Sequence, residues 1–171
     1  MSTRTTAGRF FAAGGRIRQL PPPAPGTDTF SLDTALALLS PSPGRSAIAL
    51  ALRYHRAYPA PLLLASHPKY GLVGALCYDI YETGSPDLSA PVLEVMKLGS
   101  TSTLPGTGTA LMETAAAIAV EHGLHLSLIY EPDSLAFYTA LGLHRTSPGS
   151  IRLVWKCYQM AELNHTSPPL L

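Results

Sequence analysis

A loop of small residues near the middle of the sequence has the composition of a phosphate-binding site. It follows the apolar, β-branched stretch Val92–Leu98, which predicts a strand, and precedes an Ala-rich stretch that predicts a helix ending at Gly123. The N-terminus of a helix presents unpaired backbone N–H groups and about half a positive charge. Residues without bulk let a phosphate approach those groups closely, so this loop is a candidate anion site.

The spacing of the glycines in this loop excludes two common phosphate motifs. A P-loop, G-x-x-x-x-G-K-[ST], counted from Gly99 places Leu104 at its second Gly. A dinucleotide motif, G-x-G-x-x-G, counted from Gly106 places Leu111 at its third Gly. The pattern that remains is Thr103-Leu104-Pro105-Gly106-Thr107-Gly108, followed by Leu111.

This pattern resembles the pyrophosphate loop of the GNAT superfamily of N-acetyltransferases, which reads [QR]-x-x-G-x-[GA] between a strand and a long helix. Only Thr103 departs from it, in place of Gln or Arg. A second stretch supports the resemblance: Leu124–Tyr130 predicts a strand, and Pro132–Leu141 predicts a short helix. The superfamily carries A-x-x-F/L-Y-x-x-x-G-F there. The residues at these positions are Ser134, Phe137, Tyr138, Gly142 and Leu143, with Ser in place of Ala and Leu in place of Phe.

The resemblance implies an α/β fold with a GNAT-like mixed, twisted sheet of six to seven strands and helices on both faces. It has motif-level support over Val92–His144. In the superfamily, the pantetheine arm of acyl-CoA inserts between two splayed parallel strands, which here would be Pro91–Leu98 and Leu124–Tyr130. The residues expected to bind the cofactor are Leu98, Gly99, Ser100, Thr103, Leu104, Pro105, Gly106, Thr107, Gly108, Thr109, Ser134 and Phe137.

The chemistry that the resemblance implies is transfer of an acetyl group from acetyl-CoA, as co-substrate, to a primary amine. The amine must lose a proton, the tetrahedral oxyanion must be stabilised, and the leaving thiolate must be protonated. Tyr138 matches the position whose phenol supplies that last proton, and a phenol with a pKa of about 10 stays protonated at neutral pH. The alternative is that Tyr138, next to Phe137, packs in the core.

Glu94 is the expected general base. Several members of the superfamily carry a catalytic Glu on the corresponding strand, and a charge within an apolar run needs a reason. An equally strong alternative is that Glu94 faces solvent or pairs with Lys97 or Arg152. Asp79 and Tyr81 on the preceding strand are further candidate bases, acting directly or through a water.

Two classes of function follow from these residues. The first is an N-acetyltransferase whose acceptor amine belongs to a small molecule, a peptide, a protein or an aminoacyl-tRNA, the last being the substrate of the toxin members of the superfamily. The second is a non-catalytic acyl-CoA-binding or partner-binding module with the same fold, suggested by the loss of Gln or Arg at Thr103. A homodimer is compatible with either class.

The composition of the chain limits the number of domains and the kinds of partner to expect. The chain has 171 residues, 13% of them charged, and a formal net charge of +1, so one ordinary domain is expected and nothing demands a nucleic-acid or membrane surface. Cys77 and Cys157 show no paired spacing and are expected to be buried free thiols, which favours a reducing, cytoplasmic compartment. His122 and His125 are expected at the surface, and we assign no metal.

The ends of the chain differ from its middle. Residues 1–28 carry four arginines, no acid before Asp28 and a Pro-rich run that starts at Pro21. They predict a basic, mobile arm that packs at most through Phe10, Phe11 and Leu20. A targeting sequence or an electrostatic arm for an acidic partner is the alternative. The acyltransferase domain is expected over residues 29–160 and a tail over 161–171. There is no apolar run long enough to span a membrane.

The remaining elements follow from periodicity. Ser31–Ser40 and Gly44–Tyr58 predict helices that end at prolines. Pro61–Ser66 and Gly71–Glu82 predict an antiparallel pair, the second strand central because both its sides are apolar. Ile151–Tyr158 predicts a half-buried strand. At the end of the second helix, four residues are polar candidates for acceptor selection, against the plainer alternative of a solvated helix end: Arg53, Tyr54, His55 and Arg56.

Overall fold

The computed structural model describes residues 3–24, 34, 37, 43–83 and 90–155 of the chain. Within these ranges the helices are α1 (Thr3–Ala12), α2 (Pro43–Ala57), α3 (Thr107–Glu121) and α4 (Leu135–Ala140), the last preceded by a 3-10 turn at Pro132–Ser134. The strands are β1 (Arg16–Leu20), β2 (Leu62–His67), β3 (Gly71–Tyr81), β4 (Val92–Ser100), β5 (His125–Ile129), β6 (His144–Arg145) and β7 (Arg152–Trp155).

The seven strands form one sheet in the order β1-β2-β3-β4-β5-β7-β6. The pairs β1–β2, β2–β3, β5–β7 and β6–β7 are antiparallel. The expected α/β class, with a mixed sheet of six to seven strands, is confirmed. The expected central strand, β3, lies between β2 and β4, and its residues from Val73 to Tyr78 are buried.

Contacts within the chain divide it into two compact units. The first comprises Met1–Asp79 and Val95–Thr114, and the second comprises Ile80–Glu94 and Ala115–Leu171.

In the first unit, α2 packs on one face of the sheet. Its apolar stripe includes Ile48, Ala51 and Leu52, which share a buried cluster with Leu62 of β2 and Ala75 of β3. These α2 residues recur at helical spacing, and their burial removes the apolar stripe from water.

Glycines allow α2 to approach β4 closely. A Cβ at Gly44 would collide with the carbonyl oxygen of Ser100, and one at Gly99 would collide with the backbone of Ala47 and Ile48. The first turns of α2 therefore lie backbone against backbone with the end of β4.

The start of α3 packs near Gly74 of β3. A Cβ at Gly74 would lie 2.7 Å from Thr107 Cγ2 and 2.9 Å from Leu111 Cδ1. Because successive residues of a strand point to opposite faces, Gly74 and Ala75 place α3 and α2 on opposite faces of β3. Helices thus cover both faces of this unit, as expected.

The N-terminal residues differ from the arm we expected. Residues 3–12 form α1 and residues 16–20 form β1, which pairs with β2 along its whole length. Ala7 and Phe10, three positions apart, give α1 a short apolar stripe that is buried, whereas Phe11 is 49% exposed. Two apolar residues among Arg and Thr are too few for the sequence pattern to predict a buried helix.

In the second unit, β5 and β7 supply buried Leu126, Leu128 and Leu153. The predicted strand Ile151–Tyr158 is described from Arg152 to Trp155. All four of these residues are buried, so the half-buried pattern expected for this strand is wrong over this stretch. Five expectations lie wholly or mostly outside the described residues: the helix over Ser31–Ser40, the burial of Cys157, the domain limits at 28/29 and 160/161, and the C-terminal tail.

Candidate functional site

The loop between β4 and α3 contains a tight turn. Thr107 N–H donates to the carbonyl of Leu104 at 3.4 Å, and Thr107 Oγ1 donates to the same oxygen at 2.7 Å. Pro105 and Gly106 occupy the two central positions, and Gly106 has a φ of +88°. This is the sequence and the left-handed glycine of a type II turn, which directs the chain into α3.

The turn leaves backbone N–H groups open at the start of α3. The first intrahelical bond runs from Ala110 N–H to the carbonyl of Gly106, at 2.9 Å. Helix geometry therefore leaves the N–H groups of Gly108 and Thr109 without an intrahelical acceptor. The first turn of α3 has no acidic residue, so the positive end of its dipole is not neutralised from within the helix.

The buried side chains of the loop support its backbone. The side chains of Leu104, Thr107 and Thr109 are buried, whereas Thr103 and Pro105 are exposed. Gly99 is also buried, and the remaining predicted cofactor residues of this stretch, Leu98, Ser100, Gly106 and Gly108, are partly exposed. An anion bound at this loop would therefore contact mainly backbone atoms.

Gly106 is required for a reason that the sequence did not suggest. We expected a small residue here to give a phosphate room. Instead, a Cβ at Gly106 would collide with the carbonyl oxygen of Thr6 in α1, and it would lie 3.6 Å from Phe10 N. The space beside Gly106 is filled by the N-terminal helix.

Thr101 is a functional candidate that the sequence did not reveal. Its backbone N–H donates to the carbonyl of Val73 at 2.8 Å, and the residue is only 8% exposed. Its Oγ1 is buried and has no hydrogen-bond partner among the described residues. A buried hydroxyl normally has a partner, so this atom fits a site completed by a bound molecule. In the sequence, nothing distinguishes Thr101 from the other Ser and Thr residues of the loop after the predicted strand Val92–Leu98.

Glu94 lies in a buried ion pair within the second unit. Arg152 Nη1 lies 2.8 Å from Glu94 Oε2 and donates to Ser127 Oγ at 2.9 Å. All three side chains are more than nine-tenths buried. The pairing with Arg152 that the sequence left open is thus present. Ser127, which completes the group, had no distinguishing signal in the sequence.

Tyr138 lies in a short helix whose side chains are at most partly buried. No residue of α4 or of the preceding 3-10 turn is buried, so Ser134, Phe137 and Tyr138 are all partly exposed. The rings of Phe137 and Tyr138 meet edge to face, with centroids 5.0 Å apart. Desolvation raises the pKa of the Tyr138 phenol above its ordinary value. The phenol therefore stays protonated well above neutral pH.

The other candidates have mixed surroundings. Asp79 is partly buried in β3, and Tyr81, at the end of that strand, is 37% exposed. In α2, Arg53 is exposed, whereas His55 is buried with Nδ1 hydrogen-bonded to the carbonyl of Ala60. Tyr54 packs against the buried cluster that α2 forms with Leu62 of β2 and Ala75 of β3. Only part of the polar run at the end of α2 therefore faces solvent.

Within the described parts of the chain, no three His, Cys, Asp or Glu side chains come together as metal ligands would. A search of the same residues finds no helix with the length and hydropathy to cross a membrane.

Sequence comparisons find no match, whereas structure comparisons find many proteins with a similar fold. No protein-family model matches the sequence, and no curated protein is significantly similar to it. Among solved structures, the Bacillus subtilis N-acetyltransferase YlbP in complex with coenzyme A matches with a TM-score of 0.55 and 14% identity, over 83% of this chain and 96% of that chain.

Two structures of the toxin AtaT also match. A mutant AtaT bound to acetyl-CoA and to the C-terminus of the antitoxin AtaR has a TM-score of 0.57 and 13% identity, covering 89% of this chain and 99% of that one. AtaT complexed with acetyl-methionyl-tRNAfMet has a TM-score of 0.54 and 14% identity, covering 88% and 99%. These similarities confirm the GNAT-like fold that the two sequence motifs predicted.

Proposed function

We propose that the chain is an N-acetyltransferase that moves an acetyl group from acetyl-CoA to a primary amine. The observation that carries the proposal is the β4–loop–α3 segment. It presents open N–H groups at the positive end of a 15-residue helix, next to a strand end where the Thr101 hydroxyl is buried without a partner among the described residues. The fold supports the proposal, because it is shared with an N-acetyltransferase solved with coenzyme A.

In the first unit, we assign the CoA phosphates to the backbone between Leu104 and Thr109. The N–H groups of Gly108 and Thr109 would donate to the phosphate oxygens, and the helix dipole favours their negative charge. Thr101 Oγ1 would gain the partner that it lacks. The residues of this loop act through the main chain, so Thr103 in place of Gln or Arg does not remove the principal donors.

In the second unit, we assign the proton donor to Tyr138. Attack of a neutral amine on the thioester carbonyl forms the N–C bond, and collapse of the tetrahedral intermediate breaks the C–S bond. The departing CoA thiolate takes a proton, which the Tyr138 phenol would supply. Its partial exposure supports this role over the packing alternative, because a core aromatic of this size would be buried.

Glu94 remains the proposed general base, on the strength of its place in β4. Its ion pair with Arg152 supports the competing structural role equally well, because a guanidinium N–H already occupies Oε2. Asp79 and Tyr81 remain the alternative bases. A Glu94→Gln variant separates these roles, as described in the Discussion.

The charge distribution favours an anionic acceptor. The first unit has nine basic and four acidic residues, whereas the second has three basic and seven acidic ones. A local excess of positive charge attracts polyanions and raises their association rates. Since AtaT, with the same fold, has been solved with acetyl-methionyl-tRNAfMet, we propose the amine of an aminoacyl-tRNA as the first acceptor to test.

A non-catalytic acyl-CoA-binding module is the second candidate. The specific observation in its favour is that Glu94, one of the two proposed catalytic residues, has its carboxylate engaged by Arg152. Such a module would bind acetyl-CoA through the same loop without consuming it.

Binding and turnover measured side by side test both candidates. Calorimetry gives the affinity for acetyl-CoA, and release of free thiol gives turnover with amino acids, peptides and aminoacyl-tRNA. Uncharged tRNA and N-acetylated aminoacyl-tRNA are matched controls, because both lack the free α-amine. Thiol release that requires the amine supports the enzyme. Tight binding without release on any acceptor supports the module, and no binding contradicts both.

A further inference from the structure

The N-terminal helix lies directly against the turn that precedes α3. A Cβ at Gly106 would collide with the Thr6 carbonyl oxygen and would lie 3.6 Å from Phe10 N. This is an approach of backbone to backbone, which a side chain at Gly106 would prevent. The middle of α1 therefore borders the stretch to which we assign the CoA phosphates.

The position of α1 is held by several contacts. Phe10 is fully buried, and Gly15 leaves room for its ring, with which a Cβ would collide. Gly14 N–H donates to the carbonyl of Phe11 at 2.9 Å, and Gly15 N–H donates to that of Phe10 at 3.0 Å. These bonds close the C-terminus of α1 and turn the chain into β1. The contact with Gly106 is thus built into the fold of the first unit.

The loop itself carries no charged side chain. Residues 99–109 contain only Gly, Ser, Thr, Leu and Pro. Backbone N–H groups would have to bind the phosphates without a formal positive charge from this segment. A basic side chain on a neighbouring element would complete the site, since an Arg guanidinium binds phosphate through paired hydrogen bonds.

Arg9, in the last turn of α1, is the candidate for that charge. It lies three residues after Thr6, which is about 4.5 Å along the helix axis, and residues at this spacing are neighbours on a helix surface. Arg9 is exposed, so its side chain can extend from α1 without leaving a buried position.

We propose that α1 forms one wall of the acyl-CoA phosphate site and that Arg9 supplies its positive charge. The proposal rests on the proposed function, because it assigns the loop to CoA phosphates. It adds a binding residue from outside the motif and gives the N-terminal helix a role in cofactor affinity.

The charge is tested by calorimetry with acetyl-CoA and with acetyl-pantetheine, which lacks the phosphates. Arg9→Gln should weaken acetyl-CoA binding roughly 10- to 100-fold, the range for losing a hydrogen bond to a charged group, and should leave acetyl-pantetheine binding unchanged. Arg9→Lys should recover part of the affinity. Arg18→Gln, which removes the same charge from an exposed position in β1, is the matched control and should bind as the wild type does.

The role of α1 as a wall is tested at Gly8, which is exposed. A Cβ added there would meet no atom within 4 Å beyond its chain neighbours and the nearby backbone of its own helix. Gly8→Pro breaks α1 in its middle and should weaken acetyl-CoA binding, whereas Gly8→Ala favours the helix and should preserve it. Circular dichroism and the melting temperature show whether the rest of the chain stays folded. If Gly8→Pro unfolds the whole chain, the Arg9 variants alone decide the proposal.

Three results would overturn the proposal while leaving the proposed function intact, provided that the wild type binds acetyl-CoA. The first is unchanged affinity in Arg9→Gln. The second is tighter binding in Gly8→Pro, which would make α1 an obstruction. The third is loss of affinity in Arg45→Gln but not in Arg9→Gln, which would assign the charge to α2. Failure of the wild type to bind acetyl-CoA would overturn both the proposal and the function on which it rests.

Discussion

Arg152 Nη1 lies 2.8 Å from Glu94 Oε2, which joins β7 to β4 through a buried ion pair between residues 58 positions apart. Removing one partner leaves the other charge buried and uncompensated. Arg152→Met should therefore lower the free energy of unfolding by about 3–5 kcal/mol. Denaturant unfolding measures the change.

Glu94→Gln separates the two roles of Glu94. A structural Glu94 predicts reduced stability with turnover retained in the folded fraction, because the amide keeps the shape but loses the charge that Arg152 needs. A general base predicts lost turnover with unchanged affinity for acetyl-CoA. The double variant Glu94→Gln, Arg152→Met is the control: with no unpaired guanidinium, it should unfold less readily than Glu94→Gln alone if the role is structural.

Substitution of Gly108 tests the loop. Gly108→Asp should weaken acetyl-CoA binding strongly, because it adds bulk and a negative charge beside the N–H groups that we assign to the phosphates. Gly108→Ala is the control for bulk alone and should weaken binding less. Unchanged affinity in the Asp variant, measured by calorimetry, would contradict the assignment.

Gly106 should respond differently from Gly108. Gly106→Ala introduces a side chain at a φ of +88° and against the Thr6 carbonyl, so it should destabilise the fold by at least about 1 kcal/mol, even without ligand. The melting temperature of the unliganded protein measures this. A variant as stable as the wild type would show that α1 yields easily at this contact.

Tyr138→Phe tests the proton donor. The substitution keeps the ring and its edge-to-face contact with Phe137, so stability and acetyl-CoA affinity should change little. Turnover should fall by about 10²- to 10⁴-fold, the usual range for losing a general acid. A smaller fall would indicate that a water protonates the thiolate. Wild-type turnover across the pH range, with an acceptor that the native protein acetylates, would reduce Tyr138 to a packing residue.

The upward shift of the Tyr138 pKa predicts how stability changes with pH. Burial raises it above the ordinary value near 10, so the folded chain holds this proton at a pH at which the unfolded chain loses it. The associated stability is present below about pH 10 and is lost as the pH rises through the folded pKa. Phenolate absorbance titrations of the wild type and Tyr138→Phe should differ by one late-titrating group.

Cys77 should be chemically inert in the folded protein. Burial, assisted by the negative charge of Asp79, raises the pKa of its thiol to about 12, and the thiolate is the reactive form. Alkylation at mild alkaline pH, followed by peptide mapping, should therefore leave Cys77 unmodified until denaturant is added. Rapid modification without denaturant would show that β3 opens readily. The stability linked to this thiol is lost as the pH rises from about 9 towards 12.

Periodicity predicted most of the elements because their apolar residues recur regularly. The helix expected over Gly44–Tyr58 is present as Pro43–Ala57, and the strand expected over Gly71–Glu82 is present as Gly71–Tyr81. The content of Gly, Ser, Thr and Pro also predicted the loop between β4 and α3, because these residues favour loops. Local pattern is sufficient where each element has a full apolar face.

Features that depend on contacts between distant segments could not be predicted in this way. The approach of α1 to the turn at Gly106 brings together backbone segments about a hundred residues apart in the sequence. The sequence left Lys97 and Arg152 as possible partners of Glu94. In the structure, Lys97 is exposed, whereas Arg152 of β7 is buried and pairs with Glu94. The Thr101 hydroxyl is buried and has no hydrogen-bond partner among the described residues, and burial of this kind depends on the tertiary structure.

The short strand β1 protects the edge of the sheet. It offers two exposed arginines, Arg16 and Arg18, and charged residues at an edge discourage pairing with another chain. Its neighbour in the sheet is β2, with the sequence LLLASH. If β1 separated, β2 would become a largely apolar and unpaired edge strand. Because Gly14 and Gly15 couple β1 directly to α1, fraying of that helix would promote aggregation as well as unfolding. We therefore expect solubility to depend on the first twenty residues of the chain.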